Sequence, residues 1–143
     1  MKSTPKITVL ILTYNRAHLV ERSIKSVLNQ SYKDYELVLV DNGSSDETPI
    51  IFKKYEHLNN VRIFRIEDNT GFAKGFNFCL DQIRGEWFCN VGDDDEIREN
   101  ALEILFNILD TVDPTLTAIN SNGLDSATGT YSGIGLSENQ YLP

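Results

Sequence analysis

A chain of 143 residues, 41% of them hydrophobic, is the size of one domain and apolar enough to build a core, which sets aside intrinsic disorder. Its net charge of −8 excludes a nucleic-acid surface built on a basic stripe, and any phosphate ligand has to be approached through a cation. No apolar run comes near the ~20 residues of a membrane span, and Lys2 and Lys6 flank no signal-peptide core, so the chain reads as soluble and cytoplasmic.

Ile7 to Leu12 is a continuous apolar run rich in β-branched residues, the pattern of a strand buried on both faces of a parallel sheet. Leu19, Val20, Ile24, Val27 and Leu28 then fall at helical spacing between Ala17 and Asn29. The alternation repeats as strand Glu36 to Val40, helix Glu47 to Tyr55, strand Val61 to Ile66, helix Phe72 to Ile83 and strand Glu86 to Val91. A helix follows from about Glu99 to Leu109, with Ala101, Leu102, Ile104, Leu105, Ile108 and Leu109 expected on its inner side, and Leu116 to Asn120 reads as a fifth strand. Such alternation predicts a three-layer α/β/α domain on a mainly parallel sheet, over residues 1–120. Residues 121–143, rich in Ser, Gly, Thr and Asn, read as loop, hairpin or tail. Cys79 and Cys89 lie in apolar segments without metal-site spacing and are expected to be buried free thiols; His18 and His57 are expected at the surface.

In an open parallel sheet, ligands bind beyond the carboxyl ends of the strands, where strand order reverses. Polar clusters stand at those ends: Thr13-Tyr14-Asn15-Arg16, Asp41-Asn42-Gly43-Ser44-Ser45-Asp46, Asn69-Thr70-Gly71 and Asp93-Asp94-Asp95. Each has a plainer reading. Asn42-Gly43 can be a turn with positive φ, and Ser44 with Glu47 a capping box for the next helix. Asn69-Thr70-Gly71 is also a turn, and Lys74 an exposed helix residue. Tyr14 can pack over the strand end or stack on a base. None of this accounts for Asp41, a carboxylate closing a strand on the ligand side.

Adjacent like charges repel, and three consecutive aspartates are cheap only in open water or around a cation. The run is therefore either an acidic turn favouring the next helix N-terminus or a metal-binding segment.

The segments Ile7 to Arg16, Val27 to Tyr32, Glu36 to Thr48 and Asn69 to Asn77, followed by the aspartate run, closely resemble family 2 glycosyltransferases of the Rossmann-like GT-A fold, over roughly residues 5–120. The Asp-Asn-Gly-Ser form is most similar to members that build bacterial cell-surface polysaccharides. The resemblance implies a nucleotide-diphosphate-sugar site using Thr13, Tyr14, Asn15, Arg16, Asp41, Asn42, Asn69, Gly71, Lys74, Asn77, Asp93 and Asp94, with UDP- or dTDP-linked sugars as donors. It implies Mg²⁺ or Mn²⁺ on Asp93, Asp94 or Asp95. The strand end makes Asp93 and Asp95 the outer residues of an Asp-x-Asp motif. Counting back from Ala101-Leu102 selects Asp94 instead and leaves Gly92 where an aspartate is usual. It further implies inverting transfer to a saccharide or lipid-linked acceptor, at a cytoplasmic site or peripherally at the inner membrane face.

Two departures stand out. Phe76 occupies a position where many relatives are basic, and no carboxylate here matches the general base that inverting transfer needs; Asp125 and Glu138 are not assigned that role. The chain is thus read as the donor-binding half, with residues 121–143 beginning the acceptor side. A sugar-phosphate nucleotidyltransferase would want a Gly-rich basic loop after strand one, which Thr13 to Arg16 does not supply. A phospho-acceptor receiver would place its acidic pair after strand one rather than after strands two and four. A non-catalytic nucleotide-binding domain is the remaining alternative.

Overall fold

The apolar run near the N-terminus becomes strand β1 (Ile7–Thr13), with every residue but Leu12 buried. The structure, a computed structural model, describes residues 4–111, 123–124 and 131–132. Two compact units divide the chain, Met1–Asn107 and Ile108–Pro143.

In the first unit β1 is followed by α1 (Ala17–Leu28), β2 (Tyr35–Asn42), α2 (Thr48–Lys53), β3 (Val61–Ile66), α3 (Gly71–Leu80) and β4 (Trp87–Asn90). Helix α4 (Ala101–Thr111) begins in this unit and runs across the boundary. The strands form one parallel sheet in the order β3-β2-β1-β4. β1 and β2 lie at its centre, where both faces are covered, and this is why Val9 to Leu12 and Leu37 to Val40 are apolar without interruption.

Side chains alternate across the sheet. Ile7, Val9, Ile11, Leu37 and Leu39 face α1 and α2, packing with Val20, Ile24, Val27, Ile51, Phe52 and Leu102. Leu10, Val38 and Val40 face the other way and pack with Cys79 of α3. The result is the three-layer arrangement expected from the alternation of elements. Beneath α3 a buried polar group joins the starting ends of the strands. Thr8 Oγ1 donates to Glu36 Oε1 at 2.9 Å, and Arg62 pairs with Glu36 Oε2 at 3.2 Å while donating to the Gln82 carbonyl at 2.8 Å.

Several expectations are corrected. α4 starts at Ala101 rather than Glu99, and its inner stripe is Leu102, Leu105 and Phe106, with Phe106 stacked on Tyr32 at 4.8 Å. Ile104, expected inside, is 48% exposed, because two residues on from Leu102 a helix has turned about 200° to its far side. Ile108 is also exposed. Cys79 is buried as expected, but Cys89, on edge strand β4, is only half-buried. His18 and His57 are exposed as expected.

Within the second unit, β5 (Gly123–Leu124) and β6 (Tyr131–Ser132) form an antiparallel pair. The expected strand Leu116 to Asn120 lies outside the described residues.

Candidate functional site

Strand order decides where a ligand crevice can lie. The chain builds outward from β1 to β2 to β3, then crosses back to place β4 on the other side of β1, so the reversal falls between β1 and β4. Beyond the carboxyl ends of these two strands is the topological switch point of an open α/β sheet. Four of the expected residues meet there: Thr13, Arg16, Asp93 and Asp94. Thr13, buried at the end of β1, donates its hydroxyl to Asp93 Oδ2 at 2.7 Å. Arg16, the residue before α1, reaches the same segment and donates Nη1 to Asp93 Oδ1 at 3.1 Å and to Asp94 Oδ2 at 2.7 Å.

Two carboxylates therefore converge on one cationic nitrogen. The third is placed differently: a side chain added at Gly92 would lie 2.5 Å from Asp95 Oδ2 and 3.2 Å from Asp94 Oδ1, so these carboxylates use the space that an aspartate at position 92 would need. Among the described residues no group of three His, Cys, Asp or Glu side chains is gathered to hold a metal ion. The hard oxygen donors of Asp93 and Asp94 nonetheless suit Mg²⁺ or Mn²⁺ in chemistry, and their convergence on Arg16 shows that both can face a single positive charge.

The turn after β1 is held by the turn after β2. Asn15 adopts φ 53°, a left-handed conformation that asparagine tolerates better than most residues. Its amide donates to Ser44 Oγ at 2.8 Å, and its side-chain carbonyl accepts the Ser45 amide at 2.8 Å. The expected capping box does not form: α2 begins at Thr48, and Ser44 is used on Asn15 instead of a helix amide. Asp46 takes the nearby amides, accepting Ala17 N–H at 2.9 Å and Thr48 N–H at 3.0 Å. Burial pushes the Asp46 carboxyl up, but these hydrogen bonds outweigh it and hold its pKa below the ordinary aspartate value.

Asp41 is buried and occupied within the chain. Its Oδ1 accepts the Ser44 amide at 2.9 Å and its Oδ2 pairs with Arg65, whose Nη2 also donates to the Ser44 carbonyl at 2.8 Å. The parallel register pairs Thr13 with Asp41 and Asp41 with Arg65, so Arg65, Asp41, Thr13 and Asp93 run in one row along the sheet's ligand edge. Sequence reasoning missed Arg65, because only the register sets it opposite Asp41. Both residues line a cleft of about 490 Å³ whose wall includes Pro49, Phe52 and Ile63.

Asn42 faces the next turn. Its amide nitrogen donates to Asn69 Oδ1 and the Gly71 carbonyl, each at 3.2 Å, and its oxygen accepts from the Thr70 amide at 3.2 Å and hydroxyl at 3.0 Å. Asn69 Oδ1 also closes the turn on the Gly71 amide at 2.9 Å, and Gly71 has φ 78°. Lys74 and Asn77 are exposed on α3, and Tyr14 is 42% exposed.

The chain matches the profile described as Glycosyl transferase family 2 over residues 8–136. It belongs to glycosyltransferase family 2. Over 103 residues it is 35% identical to a GalNAc(5)-diNAcBac-PP-undecaprenol beta-1,3-glucosyltransferase of Campylobacter jejuni, a match covering 71% of this chain and 33% of that protein. Its fold superimposes on S. aureus TarS 1-349 in complex with UDP-GlcNAc with a TM-score of 0.69 and 30% identity, covering 73% of this chain and 31% of that one. The mannosyltransferase PcManGT of Pyrobaculum calidifontis, in complex with GDP-Man and Mn²⁺, aligns with a TM-score of 0.67 and 27% identity over 80% of this chain and 34% of that one. The four-stranded parallel sheet is thus the core of a GT-A fold, and the chain spans about a third of the length of these relatives. Among the described residues no helix is long and apolar enough to cross a membrane.

Proposed function

We propose that this protein is an inverting glycosyltransferase that moves a sugar from a UDP-linked donor to a saccharide or lipid-linked acceptor in cell-surface polysaccharide synthesis. Residues 1–120 are the donor-binding part and residues 121–143 begin the acceptor side. The observation that carries the reading is the meeting of Thr13, Arg16, Asp93 and Asp94 at the switch point between β1 and β4. The donor class draws on a 30%-identical relative that binds UDP-GlcNAc, and the acceptor class on one whose name includes an undecaprenol-linked glycan. Work on a lipid-linked acceptor calls for a cytoplasmic enzyme at the inner membrane face.

In this reading the base enters the cleft beside Asp41 and Arg65, with Tyr14 exposed for stacking. Asn15, Asn42, Asn69 and Gly71 form the turns that floor the site; Lys74 and Asn77 face the diphosphate from α3. Asp93 and Asp94, with Asp95 as the third candidate, hold Mg²⁺ or Mn²⁺. When bound, that ion supplies the positive charge an acidic protein needs against a diphosphate and against the charge that builds on the leaving nucleotide. Arg16 gives up its place between the two carboxylates and is then free to meet phosphate oxygens. Inversion requires a general base on the opposite face of the sugar to take the acceptor's proton, and we assign none among the described residues. For residues 1–143 alone the proposed activity is donor binding without transfer.

Calorimetric titration of UDP, dTDP and GDP, with Mn²⁺ and with EDTA, tests the reading. It predicts Mn²⁺-dependent binding of UDP that is lost in an Asp93→Ala/Asp94→Ala/Asp95→Ala variant. No binding, or binding indifferent to both metal and the aspartates, would overturn it.

A further inference from the structure

Gln30 is fully buried just past the end of α1, where a leucine or methionine would fill the same space. A buried primary amide is costly unless every hydrogen bond is made. Here its Nε2 donates to the Arg98 carbonyl at 2.6 Å and the Ser26 carbonyl at 3.1 Å, and its Oε1 accepts the Leu102 amide at 2.9 Å. The same end of α1 holds two more points of that segment. Ser26 Oγ accepts the Ile97 amide at 3.2 Å, and the Ser31 amide donates to the Glu99 carbonyl at 2.8 Å.

The segment so gripped is the one that begins with the aspartates. Asp93 is tied to Thr13 at the end of β1 and to Arg16 just before α1, and residues 97–102 are tied to the end of α1. A helix of 12 residues, roughly 18 Å long, therefore separates the grips on the two ends of the chain that carries Asp93, Asp94 and Asp95. We propose that Gln30 is a positioning residue for the aspartate segment: its amide sets the carboxylates in place for the cation from a distance, without touching it. The proposal rests on the donor-site reading above. Partners hydrogen-bonded directly to metal ligands are worth about tenfold or more in metal affinity, which sets the upper bound for Gln30, one step further back.

The test uses residues 1–143 carrying Gln30→Met, which keeps the volume and removes the three hydrogen bonds. Arg62→Met is the control: it breaks the buried Glu36 pair at the opposite end of the sheet and so also destabilises the fold. Both are measured below their melting transitions. Gln30→Met is expected to weaken Mn²⁺ binding in the presence of UDP by up to about tenfold and to speed amide hydrogen exchange across residues 93–103 more than in β2. Arg62→Met is expected to leave the Mn²⁺ affinity unchanged and to speed exchange of 93–103 no more than that of β2. Equal effects of the two variants, or no change at residues 93–103 in Gln30→Met, would overturn the role given to Gln30. If the unaltered chain binds no Mn²⁺, the donor-site reading fails, while the exchange pattern still decides whether Gln30 holds the segment.

Discussion

Thr13 and Asp93 stand 80 positions apart and share a 2.7 Å hydrogen bond that joins the ends of β1 and β4. Thr13 is buried and the Asp93 side chain is only 13% exposed, so little water can replace the hydroxyl if it is removed. Thr13→Val, close in shape, is expected to lower stability by about 1–3 kcal/mol, and Thr13→Ser to stay near the unaltered chain. Urea unfolding of the three proteins checks this; a Val variant as stable as the Ser variant would mean that the bond is not formed.

Gly43 and Gly71 both have φ 78°, but their surroundings differ. A Cβ at Gly43 would come within 2.6 Å of the Asn69 backbone nitrogen and the Asp68 carbonyl carbon, while at Gly71 it would meet nothing within 4 Å. Gly71→Ala is therefore expected to cost only the left-handed backbone penalty, about 1–2 kcal/mol. Gly43→Ala should cost more, because backbone cannot move aside as a side chain can. Comparison of denaturation midpoints decides it, and equal losses would contradict the close approach of the two turns.

The side-chain amide of Asn42 is spent on the turn after β3. Asn42→Asp keeps the acceptor for Thr70 but loses both donors, to Asn69 and to Gly71. A loss of about 1–2 kcal/mol is expected in thermal melts. A more stable variant would show that the turn has a second arrangement.

How much of this was legible before the structure depends on whether the signal was local. The run Ile7 to Leu12 spelled a doubly buried strand, and the aspartates following an apolar run were correctly set at a strand end. Arg65 was invisible, because its pairing with Asp41 depends on the register of β3 against β2. Ser44 with Glu47 matched a capping box, yet Ser44 serves Asn15, which comes close only when β1 and β2 lie side by side. Gln30 belonged to a recognised segment without a role, since two of its partners, Arg98 and Leu102, are some 70 residues away. The misplacement of Ile104 was an error of phase within a helix that was otherwise correctly expected.

Cys79 links the packing to pH. Burial against β1 and β2 pushes its thiol up to about 11 from an ordinary value of 9.0. A raised acid binds its proton more tightly in the folded state, so this contribution is intact below pH 9 and is lost as pH climbs towards 11. Stability should fall over that window by roughly 2–3 kcal/mol more than in Cys79→Ala, whose lower stability should be less dependent on alkaline pH. Parallel curves for the two proteins would place the thiol in contact with water.

The central claim is that Asp93 and Asp94 form one cation site at the switch point, completed by nucleotide. Electron paramagnetic resonance of free Mn²⁺, titrated with residues 1–143 in the presence of UDP, reads this directly. The account predicts that the free-ion signal falls as protein is added and is restored in an Asp93→Asn/Asp94→Asn variant that remains folded. A free-ion signal that does not fall, or one that falls equally with the variant, would contradict it.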